Sequence, residues 1–390
     1  MFLDVLRRRN PAFLQAVIAL HRERRIPANA YALDLDAVRR NARVLAEEGA
    51  KHGLEVLAMT KQVGRAPRFI DAIKAGGIAA GVAVDMQDAR ALRDGGLALG
   101  HVGHLVQVPQ AEAAAAAALD PAYWTVFSDD KAAEAAAVSE NQALLARIRA
   151  PGDVFYTGHE GGFPAGDVVA VAARLDALDG ARFAGITTFP ALLFDADAGE
   201  VRPTPNLTTL ERAADRLRAA GVSDLVINAP GTTSTAVYPL LAAAGATQVE
   251  PGHGLTGTTP LHAVRELAEL PAACYVTEVS HLHGGRAFVF GGGLYIDPVF
   301  PDYRLRALLA DGDEPRLVDA TIPPPSAIDY YGQLEYGALP PRVGATVVFG
   351  FRIQAFVTRA YVVGITGVSS GLPEVAGIWT GNGREAAWPL

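Results

Sequence analysis

From about residue 54 to about residue 257, short apolar runs alternate with alanine-rich segments of helical spacing, and this alternation constrains the fold more than any other feature. Consecutive parallel strands need a crossover long enough to hold a helix, so the pattern reads as βα units feeding one parallel sheet. Eight candidate strands can be placed: Leu54–Met59, Ile78–Val84, Val102–Val106, Trp124–Phe127, Leu144–Ile148, Phe183–Thr187, Leu225–Asn228 and Thr247–Glu250. Eight strands in about two hundred residues match a (β/α)8 barrel. A doubly wound open sheet gives a similar alternation, and the barrel is preferred. The run Ala113–Ala118 in one crossover is a strong helix former.

The 390 residues exceed what one barrel of about 250 residues needs, so a further module is expected. After about residue 262 the texture changes to TEVSHLHGGRAFVFGGGLYID and ATVVFGFRIQAFVTRAYVVGITGV, β-branched and aromatic runs punctuated by glycine. These predict a mainly β domain, with FRIQAFVTR as one of its strands. Between them Pro323-Pro324-Pro325 marks an extended or turning segment. The run YALDLD at 31–36 reads as a strand that precedes the barrel and joins the C-terminal sheet. The expected division is therefore 1–36 as an N-terminal helix and strand, 37–262 as the barrel and 263–390 as the β domain.

Charge and composition narrow the partners. Forty-two acidic residues against thirty-four basic ones give a net charge of −8, and no basic block is present. That argues against a nucleic-acid footprint or a polybasic membrane patch and favours small-molecule chemistry. With 50% hydrophobic and 19% charged residues the chain has the composition of a folded protein. Cys274 is the single cysteine, so no internal disulfide is available and a reducing cytoplasm fits. The N-terminal MFLDVLRRRNPAFLQAVIALHRERR carries arginines on both sides of a short apolar stretch and is a poor signal peptide. It reads as helix, with Asn10 as N-cap and Pro11 at the first position. No run of about 18 apolar residues predicts a membrane span.

Lysine is scarce: thirty of the thirty-four basic residues are arginine, leaving Lys51, Lys61, Lys74 and Lys131. An amine nucleophile belongs in a sheltered site at the end of an element. Lys51 ends an exposed helix, Lys74 sits on a polar helix face, and Lys131 follows Asp129-Asp130 at a helix start. Lys61 instead closes the strand LEVLAMT at the carboxyl end, where barrel active sites are built and partial desolvation lowers an amine pKa. A strand-end lysine that merely reaches solvent is the alternative.

The second signal is LVINAPGTTSTAVYPLLAAAG, which reads as strand, glycine turn, hydroxyl cluster and helix. Free amides at a helix start, the positive end of its dipole and the hydroxyls of Thr232, Thr233, Ser234 and Thr235 together suit an anion, and Gly231 permits close approach. A Ser/Thr cap after a tight turn is the structural alternative. After the next strand, VEPGHGLTG adds Gly252 and Gly254, and two adjacent glycine loops at a barrel's end form a phosphate cup. A lysine on the first strand and a cup after the last two suit pyridoxal phosphate, since the first and eighth strands of a closed barrel are neighbours.

With these segments in order, YALDLDAVRRNAR, LAMTKQVGR, INAPGTTST, VEPGHGLTG, TEVSHLHGG and FGFRIQAFVTR, the chain resembles the fold-type III pyridoxal-phosphate enzymes with an alanine-racemase-like N-terminal barrel, and most closely the YhfX-like branch. The resemblance implies that Lys61 is the internal aldimine lysine and that Gly231, Thr232, Thr233, Gly252 and His253 hold the phosphate, with Ser234, Gly254, Asn228 and Thr188 in the same cofactor set. It also implies a homodimer with shared active sites acting on an amino acid. Where alanine racemases set an arginine against the pyridine nitrogen, this chain has Glu250, which favours a protonated ring and a stronger electron sink. A barrel-end ion pair is the alternative for Glu250. Thr188 in GITTFP stands where the family has a histidine, and YTGHEGGF at 156–163 replaces an arginine-bearing turn, so alanine is not implied as substrate.

The expected reaction is racemisation or epimerisation of an amino acid by Cα deprotonation, with Lys61 as base on one face. Tyr330 and Tyr331, with His283 behind them, are the candidates for the opposite face, and Arg352 and Arg359 for a carboxylate clamp. His281 and His283 with Cys274 or Glu278 do not reproduce the ligand pattern of related metal-assisted lyases, so no metal is expected. A lyase or decarboxylase on a D-amino acid, a cofactor carrier and a cofactor-free Schiff-base aldolase remain as alternatives.

Overall fold

The computed structural model describes residues 1–295, 299–300, 303–324 and 326–388. Pro323 and Pro324 belong to no regular element, and Pro325 lies outside the described residues. After two N-terminal helices and strand β1 (Ala30–Asp34), the chain runs through β2 (Glu55–Met59), β3 (Ala80–Val82), β4 (Ala98–Val102), β5 (Tyr123–Val126) and β6 (Asn141–Arg149). A two-residue strand β7 (Phe163–Pro164), then β8 (Gly180–Thr187), the hairpin β9 (Leu192–Asp195) and β10 (Glu200–Pro203), β11 (Val226–Asn228) and β12 (Gln248–Val249) follow. Eight of these, β2, β3, β4, β5, β6, β8, β11 and β12, pair in parallel and in chain order, and the β12–β2 pairing closes the barrel. The (β/α)8 expectation therefore holds.

One strand is displaced from its expected place: the sequence suggests Val102–Val106, whereas β4 is Ala98–Val102. Gly100 within it is a packing residue, because a Cβ there would stand 2.6 Å from the Leu57 side chain. The strand ends at Gly103, whose φ of +77° suits glycine.

The chain forms two compact units, one of Met1–Ala42, Lys61–Gly76 and His253–Leu390, the other of Arg43–Thr60 and Gly77–Gly252. The second unit carries the barrel strands. Its interior holds apolar clusters, one of Leu57, Met59, Val82 and Val84 and another of Ala143, Leu145 and Ala184.

The first unit is built on an antiparallel sheet of β13 (Ala273–His283), β14 (Arg286–Phe290), β15 (Arg306–Ala310), β16 (Arg316–Thr321), β17 (Tyr331–Glu335) and β18 (Thr346–Phe349). These six close into a ring through the β13–β14 pairing, and β1, β19 (Tyr361–Thr366) and β20 (Glu374–Thr380) extend the sheet from β13. As expected, YALDLD contributes a strand to this sheet, with Ala30–Leu33 against β13 and Ala30–Asp34 alongside β19. Its last two residues instead begin a helix (Leu35–Lys51) that Asp34 caps by accepting from the Asp36 and Ala37 N–H groups at 3.1 and 3.0 Å. FRIQAFVTR is not a strand. The chain leaves the sheet at Gly350, where a Cβ would stand 2.3 Å from the Leu3 nitrogen, and makes a 3-10 turn at Ala355–Val357.

Helices α1 (Phe2–Arg9) and α2 (Pro11–Arg22) are separated by Asn10, whose side chain accepts from Phe13 N–H and donates to Asp34 at 2.9 Å. The expected cap is thus a structural junction. Phe13, Val17 and Leu20 recur at helical spacing on α2 and join Ala32, Cys274, Val276 and Val348 of the sheet in one apolar cluster. No helix among the described residues is long and apolar enough to cross a membrane.

His21 on α2 lies buried in this unit with Nδ1 2.9 Å from Thr346 Oγ1, and Nε2 3.6 Å from a Glu278 oxygen. Burial pulls its pKa from 6.5 to about 4. The unfolded chain therefore takes up the proton first as pH falls, so the stability that His21 carries is full above pH 6.5 and is lost towards pH 4. Urea unfolding should show His21→Gln losing less stability than the wild type over this interval, by on the order of 3 kcal/mol.

Candidate active site

A contiguous polar layer crosses the interior of the barrel. Parallel register sets Arg147 of β6 beside Thr187 of β8, and Thr187 beside Asn228 of β11. Thr187 Oγ1 donates to Asn228 Oδ1 at 2.7 Å, and Asn228 Nδ2 donates to Glu250 Oε1 at 2.9 Å. On the other side His101 of β4 brings Nδ1 to 2.8 Å from the same oxygen, while its Nε2 meets the Thr125 hydroxyl of β5. His104 Nε2 is 3.4 Å from Glu250 Oε2. Each of these residues is buried.

Burial pushes the Glu250 carboxyl up, but the His104 and His101 imidazoles and the Asn228 amide outweigh it and hold the pKa at about 2. A carboxylate that would otherwise neutralise in such a place stays charged. The donor atoms of His101, His104 and Glu250 lie within 4.8 Å of one another, a spacing that also suits a divalent cation.

The segment from Asn228 to Val237 begins at the carboxyl end of β11. Gly231 has φ +145°, and a Cβ there would stand 2.7 Å from the Leu192 carbonyl oxygen. Thr233 Oγ1 donates back to Gly231 O at 2.7 Å, and Ser234 occupies the N-cap position of a 3-10 turn, Thr235–Val237. The regular helix starts at Tyr238, after the hydroxyl cluster and this 3-10 turn. Gly231→Ala should destabilise the protein by about 1–3 kcal/mol, read as a lower denaturant midpoint, since alanine meets both the unfavourable φ and the Leu192 backbone.

Three buried hydroxyls at this end of the barrel, those of Ser234, Thr188 and Thr60, have no hydrogen-bond partner among the described residues. Buried hydroxyls normally find one, so their donors suit a polar ligand such as a phosphorylated cofactor.

Lys61 follows Thr60, two residues after β2 ends, and opens a 3-10 turn, Lys61–Val63. Because β2 pairs with β12, and Met59 N–H donates to Pro251 O at 3.0 Å, the segments ending at Thr60 and Gly252 leave the barrel side by side. Lys61 Nζ lies 5.5 Å from the centre of the Phe356 ring. The other lysines have the surface roles expected of them. Lys51 pairs with Glu48 at 2.9 Å, Lys131 caps the Val108 carbonyl at 2.8 Å, and Lys74 is exposed on a helix. His253 opens a short helix with Gly254, and its Nε2 is 2.9 Å from Ile353 O. Burial, with the Arg352 charge adding to it, holds this imidazole well below its usual range, so it is neutral at pH 7.

The remaining candidates stand on the antiparallel sheet. Tyr331 meets the His281 ring edge-on at 5.2 Å, Tyr330 is exposed with the Arg359 guanidinium 5.8 Å from its ring, and His283 closes the β13–β14 hairpin opposite Arg286. Arg359 is engaged by Asp329 at 2.9 Å, and Arg352 precedes the 3-10 turn; neither lies on a strand. Cys274 is buried in the apolar cluster with its thiol pushed up by burial, while His281 stacks on Phe288 at 4.6 Å on the exposed part of β13.

Sequence reading named Glu250 and Asn228 but not His101, His104 or Arg147. The only signal for these three was an isolated polar residue inside or just after an apolar run, as in LGHVGHL and LLARIR.

The family model "Alanine racemase, N-terminal domain" matches residues 33–260, and "YhfX-like, C-terminal domain" matches residues 274–375. The chain is 37% identical to the uncharacterized protein YhfX of Escherichia coli (strain K12) over 391 residues, covering 99% of both. Its fold is similar to that of D-threonine aldolase from Filomicrobium marinum, with TM-score 0.67, 19% identity and 91% and 95% of the two chains covered. It is also similar to alanine racemase from Corynebacterium glutamicum, with TM-score 0.58, 19% identity and coverage of 83% and 90%. D-threo-3-hydroxyaspartate dehydratase from Delftia sp. HT23 matches with TM-score 0.62, 17% identity and coverage of 93% and 98%.

Proposed function

The chain belongs to the alanine-racemase-like, fold-type III pyridoxal-phosphate family with a YhfX-like C-terminal domain, and from that premise we propose that it is an amino-acid racemase or epimerase. When bound, the cofactor supplies an aldehyde that links to amines and a ring that accepts the electron pair left by a departing Cα proton. The unpartnered hydroxyls of Ser234 and Thr188 fit such a group.

Lys61 is the amine for that link and, once released, the base on one face of the substrate. Gly231, Thr232, Thr233, Ser234, Gly252, His253 and Gly254 are the phosphate-binding set, and Asn228 orients Glu250. Tyr330, Tyr331 and His283 are the candidates for the opposite face in a homodimer, with Arg352 and Arg359 for the substrate carboxylate.

The observation that carries the reading is the Glu250 carboxylate, kept charged inside the barrel by two imidazoles and an amide. A fixed negative charge holds a proton on a pyridine nitrogen, which favours loss of the Cα proton. The same charge serves a lyase or decarboxylase, so this is the second reading. Incubating the loaded protein in D2O with a panel of L- and D-amino acids separates them. Racemisation or epimerisation is expected to give α-deuterium exchange and altered configuration at Cα with the amino acid otherwise intact, whereas release of ammonia, aldehyde or CO2 overturns it in favour of the lyase.

A further inference from the structure

The sequence LGHVGHL places two histidines three residues apart at the carboxyl end of β4. On a continuous strand that spacing sends side chains to opposite faces, but Gly103 intervenes. Its φ of +77° turns the chain, and a Cβ there would stand 2.6 Å from the Thr125 carbonyl oxygen. The turn keeps both imidazoles buried, with ring centres 5.2 Å apart, beside the Glu250 carboxylate that follows β12.

Within this cluster the two carboxylate oxygens differ. Oε1 takes both short contacts, from Asn228 Nδ2 at 2.9 Å and with His101 Nδ1 at 2.8 Å. Oε2 has no hydrogen-bond partner among the described residues and stands 3.4 Å from His104 Nε2. Two atoms bound to one tetrahedral ion at about 2.0–2.1 Å lie about 3.4 Å apart, which is the separation of this pair. One ligand atom from each of the three residues lies within 4.8 Å of the others. His101 Nε2 meets the Thr125 hydroxyl, so a proton shared there leaves the Nδ1 lone pair for a metal, as in other oriented imidazole ligands.

Two imidazoles and a carboxylate are a donor set for zinc and its transition-metal neighbours, whereas magnesium and calcium prefer oxygen ligands throughout. We propose that His101, His104 and Glu250 bind a divalent ion of the zinc class in the cofactor-free protein, and that this ion and the cofactor exclude one another. Glu250 Oε2 can face a ring N–H or a metal ion, not both. The exclusion rests on the functional reading above; the metal site rests on the three side chains alone.

The test takes cofactor-free, full-length protein with zinc and, as a spectroscopic substitute, cobalt(II). Equilibrium dialysis is expected to give one tightly held zinc per chain, and cobalt the intense visible bands of a four-coordinate ion. His101→Gln and His104→Gln should lose those bands and weaken zinc by more than about 100-fold, beyond the cost of losing a residue that only orients a ligand. His281→Ala, at an exposed imidazole on β13, should keep both signals. Wild type preloaded with pyridoxal phosphate and freed of excess should take up no zinc at this site, and zinc but not magnesium should slow cofactor loading. This competition needs no variant, so it decides the matter even where a glutamine variant does not fold. Absence of zinc uptake by wild type, or uptake unchanged in both folded glutamine variants, overturns the site. Zinc and covalently held cofactor together on one chain overturn the exclusion. A wild type that binds zinc through these histidines but never takes up cofactor upholds the metal site and sinks the functional reading instead.

Discussion

Lys61→Ala, purified in excess pyridoxal phosphate, is expected to lack the visible absorbance of covalently held cofactor and to lose turnover by about a thousandfold or more. The size of the effect follows from the scarcity of substitutes. Lys51 and Lys74 are exposed on helices and Lys131 is bound to Val108 O and Glu134, so none is placed to replace the amine after β2. Lys61→Arg should fail equally, because guanidinium keeps the charge but offers no nucleophilic nitrogen near neutral pH. A Lys61→Arg protein with wild-type turnover would show that only charge matters at this position.

Glu250→Gln should keep the cofactor and lose about a hundred- to a thousandfold in kcat. An amide is close to isosteric but cannot hold a proton on a ring nitrogen, and it leaves His101 and His104 facing a neutral group. The acid limb of stability gives an independent check. The carboxyl titrates at 4.5 in an unfolded chain and at about 2 here, so its stabilising charge is fully present above pH 4.5 and is lost as pH falls towards 2. Wild type should lose that increment over this interval while Glu250→Gln does not. Equal kcat in the two proteins would remove Glu250 from the chemistry and leave it as a structural ion-pair residue.

The barrel is legible in the sequence because each of its strands is buried on both faces and therefore appears as an apolar run, with alanine-rich helices between. Lys61 and Glu250 are legible for a related reason: each directly follows such a run, at the end where a parallel barrel places its loops. His101 and Arg147 are not. Each is one polar residue within or beside an apolar strand, and only the folded structure, with Arg147 against Thr187, Thr187 against Asn228 and His101 against Glu250, shows that they share an interior layer with Glu250. The displaced β4 is not legible either, since the close approach of backbone and side chains that Gly100 allows shows only in the fold. FRIQAFVTR misleads as well. Its alternating apolar residues satisfy a strand pattern, yet the chain leaves the sheet at Gly350 and Phe351 and Ile353 are buried without strand pairing.

The central claim is a covalent bond between the Lys61 amine and the cofactor. Borohydride reduction of the loaded wild-type protein, followed by proteolysis and peptide mass mapping, tests it most directly. The account predicts a stable pyridoxyl group on the peptide containing Lys61 and on no other. A pyridoxyl group on Lys51, Lys74 or Lys131 with Lys61 unlabelled, or no label on any peptide, would contradict it.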